Sequence, residues 1–321
     1  MPLGYKEAFG LKDNPFGPRR RVDTLPPNLT SDLQVNPLLL HRNKILDKLF
    51  CDKISSFQTA CEDLTNMLEA DGYTAKKPSE GVAPYLVAID GDRGAGKTTL
   101  ACRMLQIMLA RYPEGDQPDA GVEEVFLDSR SETVSEQREK MQKLEADVEA
   151  GKSAYRCILI DDLLADAYPD AAKLYDKLRQ NSSLFMVFTS YDPKMAEQIK
   201  KSLRPVQRFN IAPLTPDEAV AYVNQRYNVF RDSGVNGLNA EPLFPFDEDD
   251  IRTAVEVKVL SGATGPVNLR LVASVLNSAL TNRLKQIARE KPKFDARAVS
   301  AGELAEMKIK VAQSYKIVVR K

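Results

Sequence analysis

The sequence predicts an α/β fold, a parallel sheet covered by helices, followed by a small unit built only of helices. Three observations predict it. Short strand-like runs (Tyr85–Asp90 and residues 122–127, 155–160 and 184–189), several of them apolar throughout, alternate with segments of helical spacing, the pattern of strands buried on both faces and joined by helices. A glycine-rich loop, Gly91 to Thr98, joins the first run to a helix. After Pro213 the strand pattern stops and only helical spacing continues.

Composition bounds the rest. A chain of 321 residues carries a prior of two domains, and 43 % apolar residues suffice for an ordinary core. No stretch approaches the roughly 18 apolar residues of a membrane span, and the first residues lack a basic region followed by an apolar run. A cytoplasmic protein with no membrane contact is therefore expected. Cys51, Cys61, Cys102 and Cys157 show no CxxC spacing and read as buried thiols. The single histidine, His41, nearly excludes histidine-based catalysis. Lys+Arg and Asp+Glu balance at 45 each, so total charge does not argue for nucleic acid. Locally, residues 281–321 hold 11 basic and 4 acidic residues, and Arg19, Arg20 and Arg21 form a second basic cluster; both are candidate phosphate contacts.

In order along the chain, residues 1–36 are proline-rich and read as an extended N-terminal arm with room for a short helix near Tyr5. Residues 43–70 repeat apolar side chains at helical spacing, with Gly72 and Pro78 as the stop. The strand at 85–90 is bounded by Pro84 and Gly91, and a helix from Lys97 follows. Residues 131–150 form a polar helix with a thin stripe (Val134, Met141, Leu144, Val148), expected on the surface. Residues 171–178 are helical, and a fifth strand is expected at 207–212. Beyond the boundary at Pro213, Thr215 and Glu218 form a capping box with Pro216 at the first helical position. Asp247 to Asp250 stack negative charge at the next helix start, and Pro266 opens a last helix to about residue 289. The expected organisation is an arm (1–36), an α/β nucleotide-binding domain (37–213), a helical lid (214–289) and a basic extension (290–321).

The chemistry concentrates in GDRGAGKT. Gly91, Gly94 and Gly96 let backbone amides turn inward around phosphate oxygens, with Asp92, Arg93 and Ala95 completing the loop and Thr99 following it. The helix N-terminus adds partial positive charge. Lys97 can reach the β- and γ-phosphates, and the Thr98 hydroxyl can ligate magnesium. Full motif and strand–loop–helix context together make this a P-loop for ATP with Mg2+. On the third strand, Asp161 is expected to hold magnesium through water, and Asp162 to orient or deprotonate the attacking water.

P-loop, paired acids ending an apolar strand, a further strand ending in Thr189-Ser190, then a helical lid: this order resembles AAA+ ATPases. The resemblance spans roughly residues 37–289. It implies that Thr189 or Ser190 contacts the γ-phosphate or the lytic water as sensor 1, and that Arg270, in GPVNLR, reaches the γ-phosphate as sensor 2. Residues 202–227 are similar to the strand-to-lid passage of origin-recognition and related bacterial ATPases, which makes Arg204, or else Arg208, the arginine acting in trans on a neighbour. Residues 37–42 resemble the segment that packs on adenine. The opening YKEAFGLKDNPFG looks like the start of ExeA-type and transposition-regulator ATPases. Asp162 stands where the family usually has Glu, which bears on hydrolysis rate.

The expected function is an ATP-hydrolysing protein that forms an ATP-dependent homo-oligomer, a ring or filament. It would act as a regulator on DNA or a DNA-bound complex, with a protein client. The alternative is an ATP-controlled protein switch in signalling, defence or secretion without nucleic acid. A small-molecule kinase fits poorly with about 75 residues spent on a helical lid. A GTPase lacks its Asn-Lys-x-Asp motif after the P-loop.

Overall fold

The structure, a computed structural model, describes residues 4–16, 50–70, 85–109, 122–129, 132–150, 154–178, 185–202, 206–232, 242–256 and 267–289. The chain divides into two compact units: residues 56–212, and residues 1–55 together with 213–321.

The first unit is an α/β layer structure. Strands β1 (Tyr85–Asp90), β2 (Val122–Asp128), β3 (Ala154–Asp161), β4 (Phe185–Ser190) and β5 (Gln207–Asn210) form one parallel sheet in the order β2-β3-β4-β1-β5. Side chains alternate across a strand. The even-numbered ones (Leu86, Ala88, Ile158, Ile160, Met186, Phe188) join one core with Met141, Leu144, Tyr168 and Leu174. These come from the helices Val134–Glu149 and Tyr168–Leu178. The odd-numbered Val87, Ile89, Leu159 and Val187 are buried too. The helix Lys97–Leu109, absent from the first core, packs on β1, β3 and β4. Both faces are thus covered over the centre of the sheet, which is why β1 and β4 read as nearly continuous apolar runs, whereas edge strand β5 is polar and mostly exposed.

Besides the short α1 (Tyr5–Phe9) in the other unit, the helices in chain order are α2 (Ser55–Ala70), α3 (Lys97–Leu109), α4 (Val134–Glu149), α5 (Tyr168–Leu178) and α6 (Met195–Lys201). The helix expected from residue 43 starts at Ser55 among the described residues; residues 43–49 lie outside them. Phe50 and Ile54 precede it and are buried without being helical, because a turn closes from the Ile54 amide to the Cys51 carbonyl. Short α6 was not anticipated.

The helical unit contains α7 (Pro216–Phe230), α8 (Glu248–Glu256) and α9 (Leu269–Arg289). Thr215 and Glu218 form the expected capping box at the start of α7. The last helix begins at Leu269 rather than at Pro266, capped by Asn268, whose side chain accepts from the Leu271 amide at 3.0 Å. Residues 4–16 contain the short helix expected near Tyr5, α1, and pack through their apolar side chains. After α1, Gly10 turns at φ 64° and Leu11 forms an antiparallel bridge with Arg231. The Lys12 amide donates to the Phe230 carbonyl, the Asp232 amide donates to the Gly10 carbonyl, and Lys6 pairs with Asp232 at 2.7 Å. Phe9, Leu11 and Phe16 are buried, with Phe9 against Phe244 and Phe16 against Tyr222 and Tyr227. Three large apolar side chains in twelve residues gain more by burial, about 1.5–3 kcal/mol each, than proline-rich composition suggests. No helix among the described residues is long and apolar enough to cross a membrane.

Candidate functional site

β1 delivers the chain into the glycine loop at Gly91. There φ is 149°, and a Cβ would sit 3.2 Å from the Ile211 carbonyl oxygen. Gly94 and Gly96 have φ of 87° and 102°, which other residues adopt at a cost. The loop closes with the Ala95 amide donating to the Asp92 carbonyl, and α3 begins at Lys97. Lys97 is 5 % exposed, and its Nζ donates to the carbonyls of Gly91 and Asp92 at 3.0 and 2.9 Å. The lysine charge is therefore held inside the loop it serves. Ala95 is buried, Thr99 half-buried, and Asp92 and Arg93 exposed. The Arg93 guanidinium lies over the Tyr191 ring, 3.9 Å from its centroid, in cation–π geometry.

β3 and β4 bring the acid side. Asp161 and Thr189 are odd-numbered and share the sheet face on which α3 packs. The Thr98 hydroxyl lies 2.8 and 3.0 Å from the two Asp161 carboxylate oxygens, and the Thr189 hydroxyl donates to Oδ1 at 2.7 Å. Asp161 is only 1 % exposed, and donors of this kind are what a buried carboxylate requires. Even-numbered Ser190 faces the other way. Its hydroxyl donates to the Leu163 carbonyl at 2.6 Å and accepts from the Asp192 amide. Of the two sensor 1 candidates, Thr189 is the one beside Asp161, while Ser190 is spent on backbone.

Asp162 has φ 59°, the left-handed region, at a cost of roughly 1–2 kcal/mol for a residue with a Cβ. Its surroundings over-determine that conformation. The Asp162 amide donates to Thr189 Oγ1 at 2.9 Å, and the Leu163 amide donates to the Thr189 carbonyl at 2.7 Å. The Ala165 amide donates to Asp192 Oδ2 at 3.0 Å. From α4, Gln137 donates to the Asp162 carbonyl at 3.2 Å and accepts from the Leu164 amide at 3.0 Å. Gln137, Asp192 and the Arg93–Tyr191 pair were missed from sequence. Only Gln137 had a signal, its place on the stripe with Met141 and Leu144 at helical spacing.

The other candidates are placed as follows. Arg208 on β5 forms a two-pronged ion pair with Asp90, at 3.2 and 2.6 Å. Arg204 and residues 37–42 lie outside the described residues. Arg270 is exposed at the second position of α9, in the helical unit. The Thr98 hydroxyl and the Asp161 carboxylate are hard oxygen donors side by side, the donor set that suits magnesium shared with a phosphate.

Glycine backbone shaped for inward-turning amides, a buried lysine at a helix start and a strand-end aspartate on the helix's threonine are the parts of one phosphate-binding device, and the chain has the α/β P-loop nucleoside-triphosphatase fold. No family model matches the chain, and no curated protein matches it in sequence. Among solved structures, three similar ones are reported for their fold. The Aeropyrum pernix ORC2 protein (ADPNP–ADP complexes) has 10 % identity over 78 % of this chain and 67 % of that one, with a TM-score of 0.49. Domain III of the Thermotoga maritima replication initiation protein DnaA has 15 % identity over 75 % and 89 %, with a TM-score of 0.40. The FIGL-1 AAA domain in complex with ADP has 14 % identity over 81 % and 85 %, with a TM-score of 0.46. At such identities and TM-scores, residue roles rest on this chain's own geometry.

Proposed function

We propose that this protein binds and hydrolyses ATP with magnesium at the Gly91–Thr98 loop. It assembles through ATP held at subunit interfaces, and the assembly regulates DNA or a DNA-bound complex. The observation that carries the nucleotide reading is the contact of Thr98 with Asp161 beneath a loop of positive-φ glycines. A fully buried carboxylate paired with the hydroxyl of a half-buried threonine on a facing helix has little structural reason to be there.

Loop amides and Lys97 bind the phosphates, and Thr98 and Asp161 hold the metal. Magnesium, when bound there, would supply charge neutralisation to the phosphates. Asp162 orients the attacking water and accepts its proton, while Thr189 fixes Asp161. The DNA part of the proposal draws its support from the basic residues of 281–321, among which Arg283, Lys285 and Arg289 lie on α9, and from the FGL…PF opening.

Titration with a fluorescent (mant) ATP should show magnesium-dependent binding that Lys97→Ala abolishes and Asp162→Asn keeps, with hydrolysis slowed in the latter. Binding indifferent to Lys97→Ala removes the nucleotide reading. Mass photometry with and without ATP–Mg2+ and duplex DNA then tests the client. Larger particles that need both support the DNA role, and their loss should be steep with added salt. ATP-dependent particles indifferent to DNA shift the reading to a protein-controlled switch.

A further inference from the structure

Gln137 is the odd residue of α4. The helix is polar, and its inward stripe continues with Met141 and Leu144, so an apolar residue is the ordinary choice at 137. Instead a glutamine sits there at 2 % exposure. Burying an amide side chain is unfavourable unless both its ends find partners. Both do, and both partners are main-chain groups of the segment that starts at Asp162: the Asp162 carbonyl and the Leu164 amide.

The conformation of Asp162 is set by the two peptide planes that flank its Cα. The preceding plane is held by the Ser129 amide on the Asp161 carbonyl and by Thr189 Oγ1 on the Asp162 amide. The following plane is held by Gln137 on the Asp162 carbonyl and by the Thr189 carbonyl on the Leu163 amide. Gln137 thus supplies a grip on the second plane from a different element than the sheet. That element is itself anchored. Thr133 and Glu136 cap α4 reciprocally, and the neighbouring Arg138 donates to the Asp166 carbonyl at 2.9 Å and to Asp170 at 2.7 Å.

We propose that Gln137 is a positioning residue for Asp162. By fixing the second peptide plane it holds the carboxylate where water must be oriented, and so couples α4 to hydrolysis. This rests on the reading that the site hydrolyses Mg–ATP with Asp162 beside the water. Gln137 touches no loop amide, Lys97, Thr98 or Asp161 in the contacts described, so nucleotide affinity does not depend on it.

The test uses the full chain carrying Gln137→Met, alone and combined with Asp162→Asn. Mant-ATP titration with Mg2+ reads affinity, single-turnover cleavage of γ-labelled ATP reads the chemical step, and amide hydrogen exchange reads Leu164. Gln137→Met should keep affinity within about twofold and slow cleavage roughly ten- to a hundredfold, the penalty of a misplacement near 1 Å. It should also expose the Leu164 amide to exchange. In the Asp162→Asn background it should cost no further rate.

An equal proportional loss in both backgrounds, affinity falling together with rate, unchanged cleavage, or a Leu164 amide as protected as before would each overturn the proposal. If Gln137→Met does not fold, Gln137→Glu carries the same comparison. At a pH where its carboxyl is ionised, it still accepts from Leu164 but has no hydrogen to donate to the Asp162 carbonyl. Failure of the underlying reading looks different: the unsubstituted protein binds no mant-ATP, binds it without cleaving it, or cleaves it equally fast as Asp162→Asn. Any of these removes the positioning role as well.

Discussion

Replacing Thr189 with valine deletes one hydroxyl while keeping the shape of a β-branched side chain on a fully buried strand. Two bonds disappear: the 2.7 Å donation to Asp161 and the 2.9 Å acceptance from the Asp162 amide. A hydrogen bond to a charged group is worth about 1.5–3 kcal/mol. The orphaned Asp162 amide adds to that, less because it is only partly buried. A net loss of about 3 kcal/mol in the α/β unit follows. For a unit of roughly 150 residues, each kcal/mol moves Tm by about 2–4 °C, so the transition should fall by roughly 6–12 °C. Thr189→Ser keeps the hydroxyl and loses one methyl, about 1 kcal/mol, or roughly 2–4 °C. Differential scanning calorimetry on nucleotide-free protein separates the two. A valine variant melting within about 2 °C of the parent, or a serine variant worse than valine, refutes the view that Thr189 holds the acid pair by its hydroxyl.

Three further outcomes are expected. Gly91→Ala places a methyl 3.2 Å from the Ile211 carbonyl at φ 149°. It should weaken mant-ATP binding more than tenfold and destabilise the α/β unit by about 2 kcal/mol; parent-like affinity would show that the loop does not need that conformation. Glu218 caps α7 and also accepts from the Ser55 amide at 2.8 Å and from its hydroxyl. Burial pushes its carboxyl up, but the Ser55 hydroxyl and the amides of Thr215 and Ser55 outweigh it and leave it below the ordinary carboxylate range. A carboxyl lowered on folding adds stability above its unfolded value, near 4.3, and loses it as pH falls through the lower folded value. Urea unfolding at pH 7, 5 and 4 should therefore show Glu218→Gln less stable at pH 7 and flatter below pH 5; curves parallel to the parent would contradict this. Arg208→Ala breaks an exposed pair worth no more than about 1 kcal/mol. It should leave ATP-dependent particle size unchanged in mass photometry, whereas lost assembly would mean that Arg208 leaves Asp90 to serve a neighbouring subunit.

Much of the sheet was legible because strands covered on both faces are largely apolar. β1, β3 and β4 were each placed to within a residue or two. The glycine loop was legible because its backbone chemistry is written directly in residue type. Strand parity could also have separated Thr189 from Ser190, since Asp161 and Thr189 are both odd in strands running parallel. That argument needs only the pairing of Leu159 with Val187, which periodicity alone does not supply. Gln137 was hidden for a different reason: an amide is equally at home in solvent and in a closed network, and sequence does not show which. In the N-terminal segment the short helix near Tyr5 was legible, but the segment's long-range packing was not. Its prolines suggested an arm, while Phe9, Leu11 and Phe16 had partners more than 200 residues away.

That last separation bears on how the molecule is made. The helical unit is written in two pieces, with residues 56–212 inserted between them. As the chain leaves the ribosome, Phe9 and Phe16 emerge long before Tyr222, Tyr227 and Phe244. The inserted unit can condense first, since all its strands and their crossovers are by then in hand. Every contact between the two pieces, such as that of Ser55 with Glu218 at 2.8 Å, closes a loop of more than 150 residues, and an ordered insert lowers the entropy cost of that closure. The expected order of assembly is therefore inside out, with the phosphate-binding unit maturing before the unit written on both sides of it. A truncated chain ending near residue 212 should leave three apolar side chains at its N-terminus without the surface they were selected to fill.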